Sequence, residues 1–373
     1  MKLINLVLLL ICPYLSFAEN SINALNGNTI VFEELKNLIL HEVKDKSVPA
    51  ISFALISDGE VVFNHVAGVS NTTTKQAASH HSIFEAASLS KPVFAFCVMK
   101  LAEDNVIDLD KPLYQYLPFD ELEGTDERYR NITARMVLSH TSGFPNWRWF
   151  DPAPKESGIE RGAMYIKKEP GEFTYSGEAY HYLARVLMKL TRKDETNFED
   201  ILNKYTKLDN EKDFYWTWRP SLSDKKVFGH KNGVPTNKDW PMSFPDDTPD
   251  KIGVAGRLHT NAKAYGQFLT QLFSDKSLRP QSLVAMLSPQ SIVPTESYDY
   301  KNNKIVAWGL GIGLSTSHYG ARYFHGGNNG DYQSGFTVYG LGKIGFVFFT
   351  NGDSGEKLHK LFEKVLLTGT SIT

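Results

Sequence analysis

The chain is poor in cysteine, has no surplus of either charge and carries no long apolar run beyond its first residues. Its two cysteines, Cys12 and Cys97, lie in unrelated contexts among 373 residues, which excludes a disulfide scaffold and a thiolate-built zinc site. Lysine plus arginine number 40 against 42 aspartate plus glutamate, a net charge of −2 with no block of one sign. Neither a nucleic-acid partner nor an anionic membrane surface is therefore indicated. The G-x-S-x-G elbow, H-E-x-x-H and the Walker phosphate loop are all missing. No His, Cys, Asp or Glu cluster has ligand spacing, so we expect no metal and no cofactor. The adjacent His80-His81 fits a surface pair better than a ligand pair, because neighbouring side chains on extended chain face opposite ways. What is present, 42% apolar and 22% charged residues, describes an enzyme-sized globular chain.

Lys2 followed by the run Leu3 to Leu15, with Ser16 and Ala18 ahead of Glu19, has the layout of a secretory signal peptide. We expect residues 1–18 to be cleaved after Ala18 and residues 19–373 to be exported, to a periplasmic or extracellular place. A membrane span needs about 20 apolar residues, and Asn5 and Pro13 interrupt this stretch, so no membrane span is expected. Losing Cys12 leaves Cys97 without an intramolecular partner.

Apolar periodicity predicts a helix over Val31 to Lys44, then strands Ala50 to Ile56 and Glu60 to Val66 joined at Asp58-Gly59, a hairpin signal. Near the other end, Ala307 to Leu314, Gly335 to Tyr339 and Ile344 to Thr350 read as strands and Gly355 to Leu367 as a helix. Helical patterns at Gly177 to Thr191, Phe198 to Tyr205 and Thr260 to Phe273 fill the middle. The expected fold is α+β: an antiparallel five-stranded sheet flanked by helices (about 28–111 and 301–370), with a mostly helical lobe inserted at about 112–300. A cleft between lobes is the natural place for a site.

Gly340-Leu341-Gly342-Lys343-Ile344-Gly345 satisfies G-x-G-x-x-G, but the β-type Phe346 to Thr350 follows where a helix would have to begin, so it reads as a hairpin turn. Ser88-Leu89-Ser90-Lys91 is the better lead. Serine and lysine three apart share a helix face, about 5–6 Å apart at Cβ, so the amine can take the serine proton. Ser223 to Lys226 and Ser354 to Lys357 match the same spacing among charged residues, whereas Ser88 opens the apolar helix Pro92 to Met99. A lysine embedded there without a nearby acid is costly to keep charged. On these residues alone, Ser88 is either a nucleophile or an incidental helix start.

Four further segments follow in order: Ile107 to Pro112, Thr133 to Pro145, Phe173-Thr174-Tyr175-Ser176-Gly177 and Phe324-His325-Gly326-Gly327-Asn328. With Phe84 to Pro92, they make the chain from about Leu35 to Leu366 resemble the serine β-lactamase and penicillin-binding-protein superfamily, in its class C-like branch. The resemblance implies Ser88 as nucleophile, Lys91 and Tyr175 as general base and acid, and His325, Gly326, Gly327 and Asn328 as the substrate-binding strand. It implies an oxyanion hole made by the Ser88 and Asn328 N–H groups. Which of Lys91 and Tyr175 takes the first proton stays open. So do a core-aromatic role for Tyr175 and a hydrogen-bonded strand role for His325.

Two departures bear on substrate. Gly177 stands where β-lactamases carry an asparagine that contacts the substrate amide, and His325 stands in place of a lysine that helps bind the β-lactam carboxylate. The expectation is an exported serine hydrolase acting through an acyl-enzyme on a small ester, amide or D-amino-acid peptide. A β-lactamase or D,D-peptidase is the alternative, and a catalytically inert penicillin-recognising binding protein is the alternative of another class. Trp147, Trp149 and Phe150 either wall an acyl pocket or pack beneath their loop.

Overall fold

The most apolar segments lie at the middle of the sheet, where both faces are covered. In the computed structural model, which describes residues 20–44, 48–206, 213–236, 251–274 and 276–370, nine antiparallel strands form one sheet. They are β1 (Ala50–Ser57), β2 (Glu60–Asn71), β3 (Gln76–Ala77), β4 (Ser291–Ile292), β5 (Ala307–Trp308), β6 (Gly313–Ser317), β7 (Gly320–Asn328), β8 (Gln333–Tyr339) and β9 (Ile344–Thr350). Their order is β4-β5-β6-β7-β8-β9-β1-β2-β3, so the β1–β2 hairpin docks against the sheet's last strand in the chain, β9. The expected signal peptide, with its cleavage after Ala18, lies outside the described residues. Among the described residues no helix is long and apolar enough to cross a membrane.

Every residue of β9 is buried because successive side chains enter opposite layers. Phe346 and Phe348 join Phe53, Leu358 and Phe362 on one face, beneath helices α1 (Phe32–Glu42) and α6 (Gly355–Thr368). Val347 and Phe349 join the larger core on the other face, with α2 (Ser90–Glu103), α3 (Glu178–Thr191) and α4 (Ala262–Leu272). Residues Asp58 and Gly59 both have positive φ, +48° and +81°, the turn whose twist suits a two-residue hairpin. The G-x-G-x-x-G segment is the β8–β9 turn, with Gly340, Leu341 and Gly342 all at positive φ.

The five-stranded expectation undercounts the sheet. The segment read as one strand, Ala307 to Leu314, is a hairpin in which Ala307 pairs with Leu314 and Trp308 with Gly313. Gly311, at φ +84°, makes its turn. Strands β3 and β4 have two residues each, too few to show a period. Strand β7 completes the site: its pairing to β6 ends at Phe324↔Gly313, so His325 to Asn328 pair on the β8 side.

Candidate active site

Ser88 sits in a single 3₁₀ turn, Ala87–Leu89, immediately before α2. Ala87 takes φ +49°, a strained value for a residue with a Cβ, and its surroundings hold it there. Ser90 Oγ donates to Ala87 O (2.6 Å) and accepts from Leu258 N (3.0 Å). Ser334 Oγ donates to Ala86 O (2.7 Å), and Tyr265 OH to Leu89 O (2.8 Å). The turn is thus tied to the sheet and to α4, and the serine is placed before any substrate arrives. Pro92 falls in the first turn of α2, where its missing N–H costs nothing.

Lys91 is fully buried. Its Nζ lies 3.2 Å from Ser88 Oγ and 2.7 Å from Ala255 O, to which it donates. The rings of Tyr175, Tyr180 and Trp147 surround it at 4.9, 5.7 and 5.8 Å. Burial without a carboxylate partner lowers its pKa from 10.5 to about 7, so near neutrality much of it is the free amine.

Tyr175 comes from the loop ahead of α3, and the Thr133 to Pro145 segment fixes that loop. Thr174 N donates to His140 O (2.6 Å), Ser176 N to His140 Nδ1 (3.2 Å) and Ser176 Oγ to Pro145 O (2.8 Å). The His140 ring stacks on Tyr175 with centroids 4.1 Å apart and is kept neutral, burial holding its pKa well below the ordinary value. Tyr175 hydrogen-bonds Ser88, yet burial pushes the phenol up from 10 and the Asp299 carboxylate pushes it further the same way. It is a phenol, not a phenolate, at any working pH.

His325 and Asn328 complete the wall. His325 is buried, and its Nδ1 donates to Gly326 O (2.8 Å). Burial, with Lys91 nearby, lowers its pKa to about 3. It therefore stays uncharged and offers no fixed charge for a substrate carboxylate. Asn329 N bonds to Tyr332 O on the β8 side, and strand alternation then turns the Asn328 N–H toward the open edge. A Cβ on Gly327 would lie 2.6 Å from Ala86 O and 3.2 Å from Ala87 Cβ. Only glycine lets the strand come this close to the Ser88 turn.

One cleft of about 420 Å³ takes in Ser88, Tyr175, His325, Gly326, Gly327 and Asn328, so the structure brings together the residues singled out from the sequence, with Lys91 beneath. It also adds Asn146, Trp308 and Asp299, which sequence reasoning missed. Asn146 adjoined a quoted segment and Trp308 lay in a predicted strand, but nothing local showed that either turns toward Ser88.

The aromatic trio does not wall the cleft. Trp147 packs over Gly177, where a Cβ would approach its ring to 2.5 Å, and Trp149 over Gly162 at 2.2 Å, while Phe150 is 78% exposed. The first of these contacts explains the missing asparagine: the space it would need is filled by indole.

The family model described as Beta-lactamase matches residues 35–369. Among curated relatives, Protein flp of Staphylococcus aureus (strain N315) is 24% identical over 183 residues, covering 47% of this chain and 36% of that protein. The match thus spans about a third of the relative's length. Among solved structures, EstCE1, a hydrolase with promiscuous acyltransferase activity, superposes with a TM-score of 0.71 at 17% identity, over 90% of this chain and 98% of that one. The D-amino acid amidase from Ochrobactrum anthropi SV3 gives 0.69 at 19% identity, over 90% and 97%. At such identities these two likenesses establish the fold.

Proposed function

Because the chain belongs to the Beta-lactamase family, we propose that it is a serine hydrolase cleaving a small ester or amide through a covalent acyl-enzyme on Ser88. The observation that carries this is the buried Lys91 amine, 3.2 Å from Ser88 Oγ and with a pKa near 7. The neutral amine accepts the Ser88 proton as Oγ bonds to the substrate carbonyl carbon, and the carbonyl oxygen becomes an oxyanion held by the Ser88 and Asn328 N–H groups. The tetrahedral intermediate then expels the leaving group, which takes a proton from the Tyr175 phenol, while Lys91 returns its proton to the phenolate. Water attacks the acyl-enzyme by the same route reversed, releasing the acid and restoring Ser88. The pKa directions support Lys91 over Tyr175 as first base, since a phenol pushed above 10 is almost never ionised at neutral pH.

Esters and amides without a carboxylate rank ahead of β-lactams in this reading. A histidine held neutral and a glycine at position 177 supply neither the charge nor the amide contact that a β-lactam uses. The β-lactamase or D,D-peptidase reading stays second, favoured by the family alone. The test is Ser88→Ala. It should abolish p-nitrophenyl ester turnover and fluorophosphonate labelling without loss of fold, whereas replacing Ser223 or Ser354 should not. Labelling that survives in Ser88→Ala would refute the assignment.

A further inference from the structure

The cleft beside Ser88 holds a carboxylate that the hydrolytic scheme does not use. Asp299 lies on the short helix α5 (Tyr298–Asn303), on the wall of the cleft that also carries Tyr298, Asn303 and Trp308. Among the described residues its side chain meets one polar partner, Asn303 Nδ2, which donates at a long 3.4 Å, and no cation. Neighbouring Glu356, which also lines the cleft, is differently placed: Lys360 Nζ donates to it at 2.7 Å and Tyr298 OH at 3.4 Å. No lysine or arginine lines the cleft among the described residues.

A second group there also lacks a partner. His325 is 1% exposed, and its Nε2 is left as an acceptor because Nδ1 carries the proton toward Gly326 O; no hydrogen bond reaches it. The one buried donor without a partner on the same wall, Trp308 Nε1, is uncharged. The cleft therefore presents the Asp299 carboxylate, with no cation among its described lining residues, beside the rings of Tyr298, Trp308 and Phe324 and above the neutral His325 acceptor buried in its wall. That combination suits an organic cation, which gains both from the carboxylate and from aromatic faces, and it repels a carboxylate.

The side of the scissile bond follows from Tyr175. This phenol delivers the proton to the leaving group, and Asp299 lines the same cleft as Tyr175, close enough for its carboxylate to push the phenol's pKa up. We propose that Asp299 is a specificity residue that receives an alkylammonium group on the leaving-group side of the substrate, so that the preferred substrates are esters or amides of cationic alcohols or amines. This rests on the acyl-enzyme reading above. Burial, which raises the Asp299 pKa, agrees with a carboxylate that gains from a bound cation.

The experiment compares butyrylthiocholine with its uncharged isostere, in which carbon replaces the quaternary nitrogen, on the full chain and on Asp299→Asn. The readout is the ratio of kcat/KM values, which cancels effects common to both substrates. The expected ratio favours the cation by roughly tenfold or more, and Asp299→Asn brings it to within about twofold of unity. In parallel, choline should protect Ser88 from fluorophosphonate at lower concentration than the uncharged alcohol, and should lose that advantage in Asp299→Asn. This arm decides the matter if neither thioester is turned over. A ratio near one in the unmodified protein, an equal loss with both substrates, or equal protection by both alcohols would overturn the inference. Failure of the acyl-enzyme reading looks different: Ser88→Ala would still hydrolyse both thioesters or still be labelled.

Discussion

Replacing Lys91 by methionine should stabilise the protein near neutral pH while destroying its activity. Methionine keeps the length and apolar stem of lysine but has no charge to bury. Holding the amine at about 7 instead of 10.5 opposes folding by about 5 kcal/mol at and below neutrality, at about 1.4 kcal/mol per pH unit. The substitution also leaves Ala255 O without its donor, a loss of about 1–3 kcal/mol. The variant should therefore be more stable by about 2–4 kcal/mol at pH 7. Because the folded value lies below the unfolded one, the unfolded chain binds more protons between about pH 7 and 10.5. Wild-type stability consequently rises with pH across that window relative to the variant, and the variant's advantage shrinks and then reverses. Urea unfolding followed by circular dichroism, on both proteins from about pH 7 to 9.5, measures this. A variant less stable than wild type at pH 7, with a gap that does not change with pH, would refute the claim that Lys91 is held largely neutral.

Two further predictions follow from the same geometry. The pH dependence of kcat/KM for a neutral ester should show one rising limb through about 7, set by loss of the Lys91 proton, with no inflection from His325, whose pKa lies near 3; a rate that falls as pH rises from 6 to 8 would contradict both assignments, and stopped-flow esterase assays across about that range check it. Gly177→Asn should lower stability by about 1–3 kcal/mol, because its Cβ meets the Trp147 ring at 2.5 Å. Adding Trp147→Ala should recover part of that loss, which thermal melts of the single and double variants would show.

What could be read from the sequence was the chemistry carried by contiguous residues. Ser88 and Lys91 are one helical turn apart, so their meeting was implied by spacing alone. Tyr175 and the His325 to Asn328 strand were placed by motif resemblance, and both reach the same cleft. The sheet's centre was legible because β1 and β9 are predominantly apolar on both faces. Its margin was not: the two-residue strands β3 and β4 have no period to detect, and the Gly311 turn inside Ala307 to Leu314 was read as continuous strand. The contribution of Trp147 was hidden for a different reason. Its contact with Gly177 joins residues 30 positions apart, and no local pattern announces that an indole will fill the space of an absent side chain. Asp299 was equally silent, since one acidic residue on a polar helix ordinarily faces solvent.

The central claim is that a covalent acyl-enzyme forms on Ser88. Its most direct test is to quench the enzyme with acid during turnover of p-nitrophenyl butyrate and map the adduct by peptide mass spectrometry. The account predicts one butyryl group on the peptide containing Ser88, appearing as p-nitrophenol is released and absent in Ser88→Ala. A butyryl group on another residue, or steady turnover by Ser88→Ala, would contradict it.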